Sequence, residues 1–226
     1  MNLEFVKLNH IRVMMRKISL ISMLIVVVFI IGCGRQALVT TYYLLDYYPS
    51  PDNEKLILTD PIPHKVQVMN FKIPRSFDSI RIIARYSSHQ INYFRYSLWA
   101  VRPQIAAADL LVQHINAYRL FEQCQREFLE ERPEYEITGE IFQIERYDSE
   151  KYSSAHLKMN FEFYDRENNN LLIRHPFDRD NEIPKGNMAI FAKAISDIIN
   201  EEAEIFLEKI ALHFEEVEND SLKVLD

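Results

Sequence analysis

Between Leu157 and Phe163 the chain alternates strictly, with apolar Leu157, Met159, Phe161 and Phe163 separated by Lys158, Asn160 and Glu162. That period of two predicts an antiparallel strand with one buried face. Tyr135–Ile144 before it and Leu171–Phe177 after the Asn168-Asn169-Asn170 turn predict flanking strands and a three-stranded meander. The first half reads similarly. Thr40–Tyr48 is rich in β-branched and aromatic residues and stops at Pro49-Ser50-Pro51-Asp52, and Lys65–Ile73 predicts a second strand closed by Pro74. Ser79–Tyr86 and Ile91–Trp99 predict a hairpin joined through Ser87–Gln90.

Two segments change period. From Pro103, Ile105, Ala108, Leu111 and Ile115 recur at spacings of three and four and the pattern continues to Tyr118, while Asp109, Gln113 and Asn116 share the opposite side. This predicts an amphipathic helix with proline in its first turn, where no intrahelical N–H is needed. A second helix is expected from about Asn187 to Phe214, presenting Phe191, Ile195, Ile199, Ala203, Phe206 and Ile210, followed by an acidic, frayed tail over 215–226. The expected fold is α/β: a mixed β-sheet covered by two main helices, in one layered domain over 40–214.

The N-terminal pattern is different again. Arg16 and Lys17 precede an apolar run that ends at Ile30-Ile31-Gly32 before Cys33. Fewer than the roughly 20 residues needed to span a bilayer are apolar, whereas a secretory h-region is of this length. Residues 1–32 therefore read as a lipoprotein signal peptide with its start at Met1, Met14 or Met15, Cys33 as the lipidated residue, and 33–39 as a linker. An uncleaved anchor is the alternative these residues allow. Several acyl chains on Cys33 would hold the protein to a membrane essentially permanently, since each buried methylene contributes about 0.8 kcal/mol.

Cleavage leaves 194 of the 226 residues; four of the 26 basic and one of the 33 acidic side chains leave with the leader, so the remainder carries a net charge of about −10. Such a chain has no electrostatic basis for binding nucleic acid. With Cys33 lipidated, Cys124 has no disulfide partner and reads as a small buried hydrophobe near the end of the first helix, a reactive thiol being the alternative. Only Gly34, Gly139 and Gly186 remain after cleavage, too few for a phosphate-cradling loop, and no metal-ligand histidine pair or Gly-x-Ser-x-Gly elbow exists. No cofactor beyond covalent lipid at Cys33, no metal site and no catalytic residue are expected.

Tyr42-Tyr43-Leu44-Leu45-Asp46, Phe71-Lys72-Ile73-Pro74 with Ile80–Tyr86, Tyr93–Trp99, Pro103 opening a helix that ends at Leu120-Phe121, and the late helix Ala189–Ile210 occur in the order found in the ABC-type transport auxiliary lipoproteins, the PqiC-like group. The chain resembles that family over most of its length after Cys33. Val101-Arg102 before Pro103 departs from its usual pattern. The resemblance implies a non-enzymatic, lipid-anchored protein on the periplasmic face of the outer membrane of a Gram-negative bacterium. Its implied partners are an inner-membrane ABC transporter and the Mce-type periplasmic protein it carries, for intermembrane lipid transport, with homo-oligomer formation among the expectations. A lipid-carrying lipoprotein with its own apolar cavity is the alternative.

For partner binding, Arg85, Tyr93, Tyr96 and Trp99 are the candidates. Strand alternation splits Tyr93 from Phe94, and aromatic residues favour interfaces because they bury large areas with few torsions. Packing under the first helix is the competing role for the aromatics. Arg85 has equal claims to an internal pair with Asp109 or Glu122 and to a partner carboxylate. Glu201-Glu202 reads as a solvated helix face.

Overall fold

The computed structural model describes residues 14–17, 19, 22–23, 38–50, 53–129 and 132–223. Cys33, most of the 1–32 leader and the greater part of the 33–39 linker lie outside them. Residues 40–226 group as one unit, separate from 1–39. Its strands are β1 (Thr41–Tyr43), β2 (Ile62–Val68), β3 (Arg81–Ser87), β4 (Gln90–Trp99), β5 (Phe121–Gln125), β6 (Tyr135–Asp148), β7 (Ser153–Asp165) and β8 (Asn170–Ile183). The helices are α1 (Pro103–Tyr118) and α2 (Met188–Lys223), with a short 3₁₀ turn at Glu54–Leu56.

All eight strands join one mixed sheet, as an α/β fold requires. Long β6 organises it. One edge of β6 pairs antiparallel with β7, which pairs antiparallel with β8. Along the other edge it pairs in parallel first with β2 near Ile137 and then with β3 near Arg146. β4 adds antiparallel to β3, β1 parallel to β4, and β5 parallel to β2.

Ala155, Leu157, Met159, Phe161 and Phe163 of β7 are all buried on the face that α2 covers, where Phe206 stacks 5.2 Å from Phe161. Phe214 meets Phe121 and Phe163, and Trp99 meets Phe191, so the same helix seals both halves of the sheet. α1 packs on β2 and β5 and touches α2. Among the described residues of 40–226, no helix packs on the opposite face of β6, β7 and β8.

Several boundaries differ from the sequence pattern for local reasons. β2 begins at Ile62 and ends at Val68, earlier than the hydrophobic run suggests; Pro63 is accommodated where the pairing with β5 shifts register between Ile62 and Lys65. Beyond Val68 the chain runs along β6 through single contacts, Met69 N–H to Ile137 O and Lys72 N–H to Gly139 O, both 2.8 Å. β1 has only three ladder residues, although Leu45 and Tyr47 beyond it are buried.

α1 stops at Tyr118, because Arg119 adopts a left-handed conformation with φ 53° and Leu120 N–H turns back to Ile115 O. Phe121 and Cys124 therefore lie on β5, not at a helix end. α2 continues through the expected tail to Lys223, its start capped by Asn187 Oδ1, which accepts from the N–H groups of Ala189 and Ile190.

Candidate docking face

β7 presents His156 and Lys158 away from the helices, and register aligns Glu145 of β6 with His156 and His156 with Asp180 of β8. Arg85 of β3 stands opposite Tyr147, one row further along. All of these except Lys158 line a cavity of about 500 Å³ on the helix-free face, together with Ser88, Gln143 and Asp178.

Glu145 is the centre of the cluster, with its side chain only 2 % exposed. Arg85 Nε donates to Glu145 Oε1 at 2.5 Å, and His156 Nδ1 lies 3.5 Å from the same oxygen. His156 Nε2 bonds Asp178 Oδ1 at 2.8 Å, and Lys158 Nζ donates to Asp178 Oδ2 at 2.8 Å. Burial opposes the Glu145 charge, yet the hydrogen bonds from His156 and Arg85 outweigh it and hold the carboxyl below its ordinary range. The hydrogen bond to Glu145, against the opposing effect of burial and with help from Asp178, raises the His156 imidazole above its ordinary value. An imidazole with a carboxylate at each nitrogen is bound best when doubly protonated.

Arg85 thus pairs within the fold, but with Glu145 instead of Asp109 or Glu122; Asp109 pairs with Arg126 at 3.0 Å. Tyr93 is exposed, its hydroxyl donates to Ser76 O at 3.2 Å, and the Arg81 guanidinium sits 4.4 Å from its ring centroid. Tyr96 is half-buried, with Arg95 5.5 Å from its ring. Phe94 packs against the core, so the expected division between Tyr93 and Phe94 is observed. Trp99 is a correction: at 2 % exposure beside Phe191 it belongs to the core and offers a partner no surface.

Glu201-Glu202 is a second correction. Glu202 points under α2, buried, and accepts from Arg179 Nη1 at 2.6 Å and bonds His175 Nε2 at 2.8 Å. Lys209 Nζ bonds His175 Nδ1 at 2.8 Å, which leaves Nε2 to carry the donated proton; burial lowers the His175 pKa. Only Glu201, paired with Arg179, faces solvent. This arrangement fastens α2 to β8. Sequence reasoning missed Glu145, His156 and Asp178 because three strands contribute one residue each and only register brings them together.

Among the described residues no set of three or more His, Cys, Asp and Glu side chains is placed to hold a metal ion, and no helix is long and apolar enough to cross a membrane. A groove of about 720 Å³ lies at the far end of α2 between the 57–64 segment and Ala211, Phe214 and Val217.

Residues 43–205 match the sequence model of the family described as ABC-type transport auxiliary lipoprotein component. No curated protein sequence matches significantly. Among solved structures, the fold is similar to that of protein XCC0632 from Xanthomonas campestris, of family DUF330, with TM-score 0.67 and 13 % identity over 79 % of this chain and 99 % of that one. A second crystal structure, of an uncharacterized protein, aligns with TM-score 0.59 and 12 % identity over 76 % of this chain and 99 % of that one.

Proposed function

Since the chain belongs to the family of ABC-type transport auxiliary lipoprotein components, matched over residues 43–205, we propose that it is the non-enzymatic docking lipoprotein of an Mce-associated intermembrane lipid transport system. In this reading, Cys33 carries the lipid, the anchor is the periplasmic face of the outer membrane, and the folded part holds the Mce-type shuttle of an inner-membrane ABC transporter. The observation that carries it is the division of the sheet: one face is covered by two helices, and the other, without a helix among the described residues of 40–226, carries exposed Tyr93 and the polar cluster around Arg85.

The N-terminal geometry supports the tether. Five residues take the chain from Cys33 to Leu38, a reach of at most about 18 Å. Beyond it, Tyr42 and Leu44 at the start of the folded unit are exposed apolar side chains, compatible with a nearby membrane surface. Gly34, in place of an aspartate after the cysteine, fits delivery to the outer membrane.

Chemical cross-linking in intact cells, followed by purification of the full chain and identification of what comes with it, tests this function. Recovery of an Mce-type protein, with Cys33 found acylated by mass spectrometry, is expected. An unprocessed amino terminus, or only unrelated envelope proteins, would overturn it.

The 720 Å³ groove beside Phe214 favours a second reading, in which the protein itself carries a lipid, because its lining includes Ile57, Leu58, Ile62 and Phe214. Native mass spectrometry decides this. A copurified lipid would support the carrier, and a chain bearing only its covalent acyl groups would eliminate it.

A further inference from the structure

A cavity of about 730 Å³ opens where the start of α2 meets β1, β4 and the end of β6, and its lining includes Tyr43, Phe94, Ser97, Arg146, Asp148 and Lys185. Arg146 is only 4 % exposed. Its Nε donates to Asp148 Oδ1 at 2.8 Å and its Nη2 to Ser153 Oγ at 3.1 Å, while Ser153 Oγ donates to the same Asp148 oxygen at 2.5 Å. These bonds fix the guanidinium plane and leave Nη1 without a partner among the described residues. Unlike Glu145 Oε2, this nitrogen is not sealed from solvent, so it opens on the cavity.

The charges of the lining leave a positive excess. Asp148 offsets Arg146, but Lys185 Nζ donates to the backbone oxygen of Glu150, a neutral acceptor, and has no carboxylate partner among the described residues. Tyr43 is the only other titratable group of the lining. The start of α2 adds to the excess: Asn187 Oδ1 caps the N–H groups of Ala189 and Ile190, and the Met188 N–H has no intrahelical acceptor. A buried guanidinium and a lysine at the positive end of a helix repel one another, and an anion between them relieves that repulsion.

We propose that this cavity binds a phosphate group. Arg146 Nη1, Lys185 Nζ and the Ser97 hydroxyl are the side-chain donors on hand for its oxygens, and Tyr43, Phe94 and Met188 wall the remaining volume. That volume exceeds what a lone phosphate ion fills and suits a phosphate ester. Two sources carry this chemistry: the headgroup of a phospholipid in the anchoring membrane, and a soluble phosphate ester. The headgroup is within reach, since the ten residues from Cys33 to Tyr43 span at most about 36 Å. Only the lipid source rests on the tether reading.

NMR titration of the isotopically labelled full chain tests the site. The probes are sn-glycerol 3-phosphate and monomeric dihexanoylphosphatidylethanolamine, with glycerol and sodium chloride at matched ionic strength as controls. Saturable shifts at the amides of Ser97, Arg146, Gly186 and Met188 are expected from a phosphate probe and from neither control. Tighter binding of the lipid assigns the headgroup, and tighter binding of glycerol phosphate assigns the soluble ester. Lys185→Gln, at an exposed position, should weaken binding about tenfold, as loss of one charged hydrogen-bond donor does. Arg146→Gln should weaken it at least as much, and Lys185→Gln decides the point if that buried variant does not fold. No saturable shift from either probe, equal shifts from sodium chloride, or unchanged affinity in Lys185→Gln would overturn the proposal. Failure here leaves acylation of Cys33 and an Mce-type cross-link standing, whereas an unprocessed amino terminus with phosphate binding intact would sink only the tether.

Discussion

Phe71 packs its ring against Gly139, where a Cβ would lie 3.4 Å from Phe71 Cδ1 and only 2.5 Å from the backbone oxygen of Asn160. Glycine here is a matter of space: β6 and β7 close on one side and the segment following β2 closes on the other. Gly139→Ala must push the backbone of β7 or displace Phe71 from the core. A loss of about 1–3 kcal/mol is expected from such overpacking, read as a lower urea midpoint with unchanged slope.

Arg85 and Glu145 form a pair whose members are unequally buried, with side chains 20 % and 2 % exposed. Arg85→Ala leaves Glu145 with His156 as its remaining partner and should cost on the order of 3 kcal/mol, since a buried charge loses its principal cation. Joint replacement by Leu at both positions should cost less than Arg85→Ala, because no unpaired charge is left behind. A double-mutant cycle by denaturant unfolding measures the coupling.

Two histidines bend the pH dependence of stability in opposite directions. His114 is fully buried beside Tyr47, and burial pushes its pKa down to about 4. The folded state therefore favours the neutral ring; its contribution is present above the unfolded value near 6.5 and is lost as pH falls toward 4, by about 3 kcal/mol. His156, raised chiefly by Glu145, contributes below the unfolded value and loses that contribution as pH rises through its folded pKa. Urea unfolding across pH should show greatest stability slightly on the acid side of neutrality. His156→Gln should remove the alkaline decline and leave the acid limb in place.

Cys124 lies buried on β5, and burial raises its thiol pKa to about 12 despite nearby Arg126. Alkylation by iodoacetamide at pH 8 should be undetectable in the folded protein and complete in urea, since the thiolate is the nucleophile. Labelling of the folded chain at a rate typical of a free thiol would contradict the burial.

Periodicity made the core legible. The residues of β7 and α2 that alternate or recur in the sequence are those that meet beneath α2, and the mixed α/β sheet follows from their order. β5 escaped detection because five residues with two buried side chains, Phe121 and Cys124, carry no clear period, and because the preceding helix ends on Arg119 instead of on a glycine. Pro63 concealed the start of β2. Arg85 and Tyr93 were recognisable as surface candidates, but the partners of Arg85 were not: Glu145, His156 and Asp178 come from strands whose register is written in no local stretch of sequence. Trp99 was misread for a related reason, since the irregular register between β3 and β4 decides which aromatic turns inward.

Site-specific photocross-linking in cells, with benzoylphenylalanine at Tyr93 on the helix-free face or at exposed Leu212 on α2, tests the docking account most directly. Adduct formation with an Mce-type transport component from position 93 and none from position 212 is the predicted result. The same component captured equally from both positions, or from 212 alone, would contradict it.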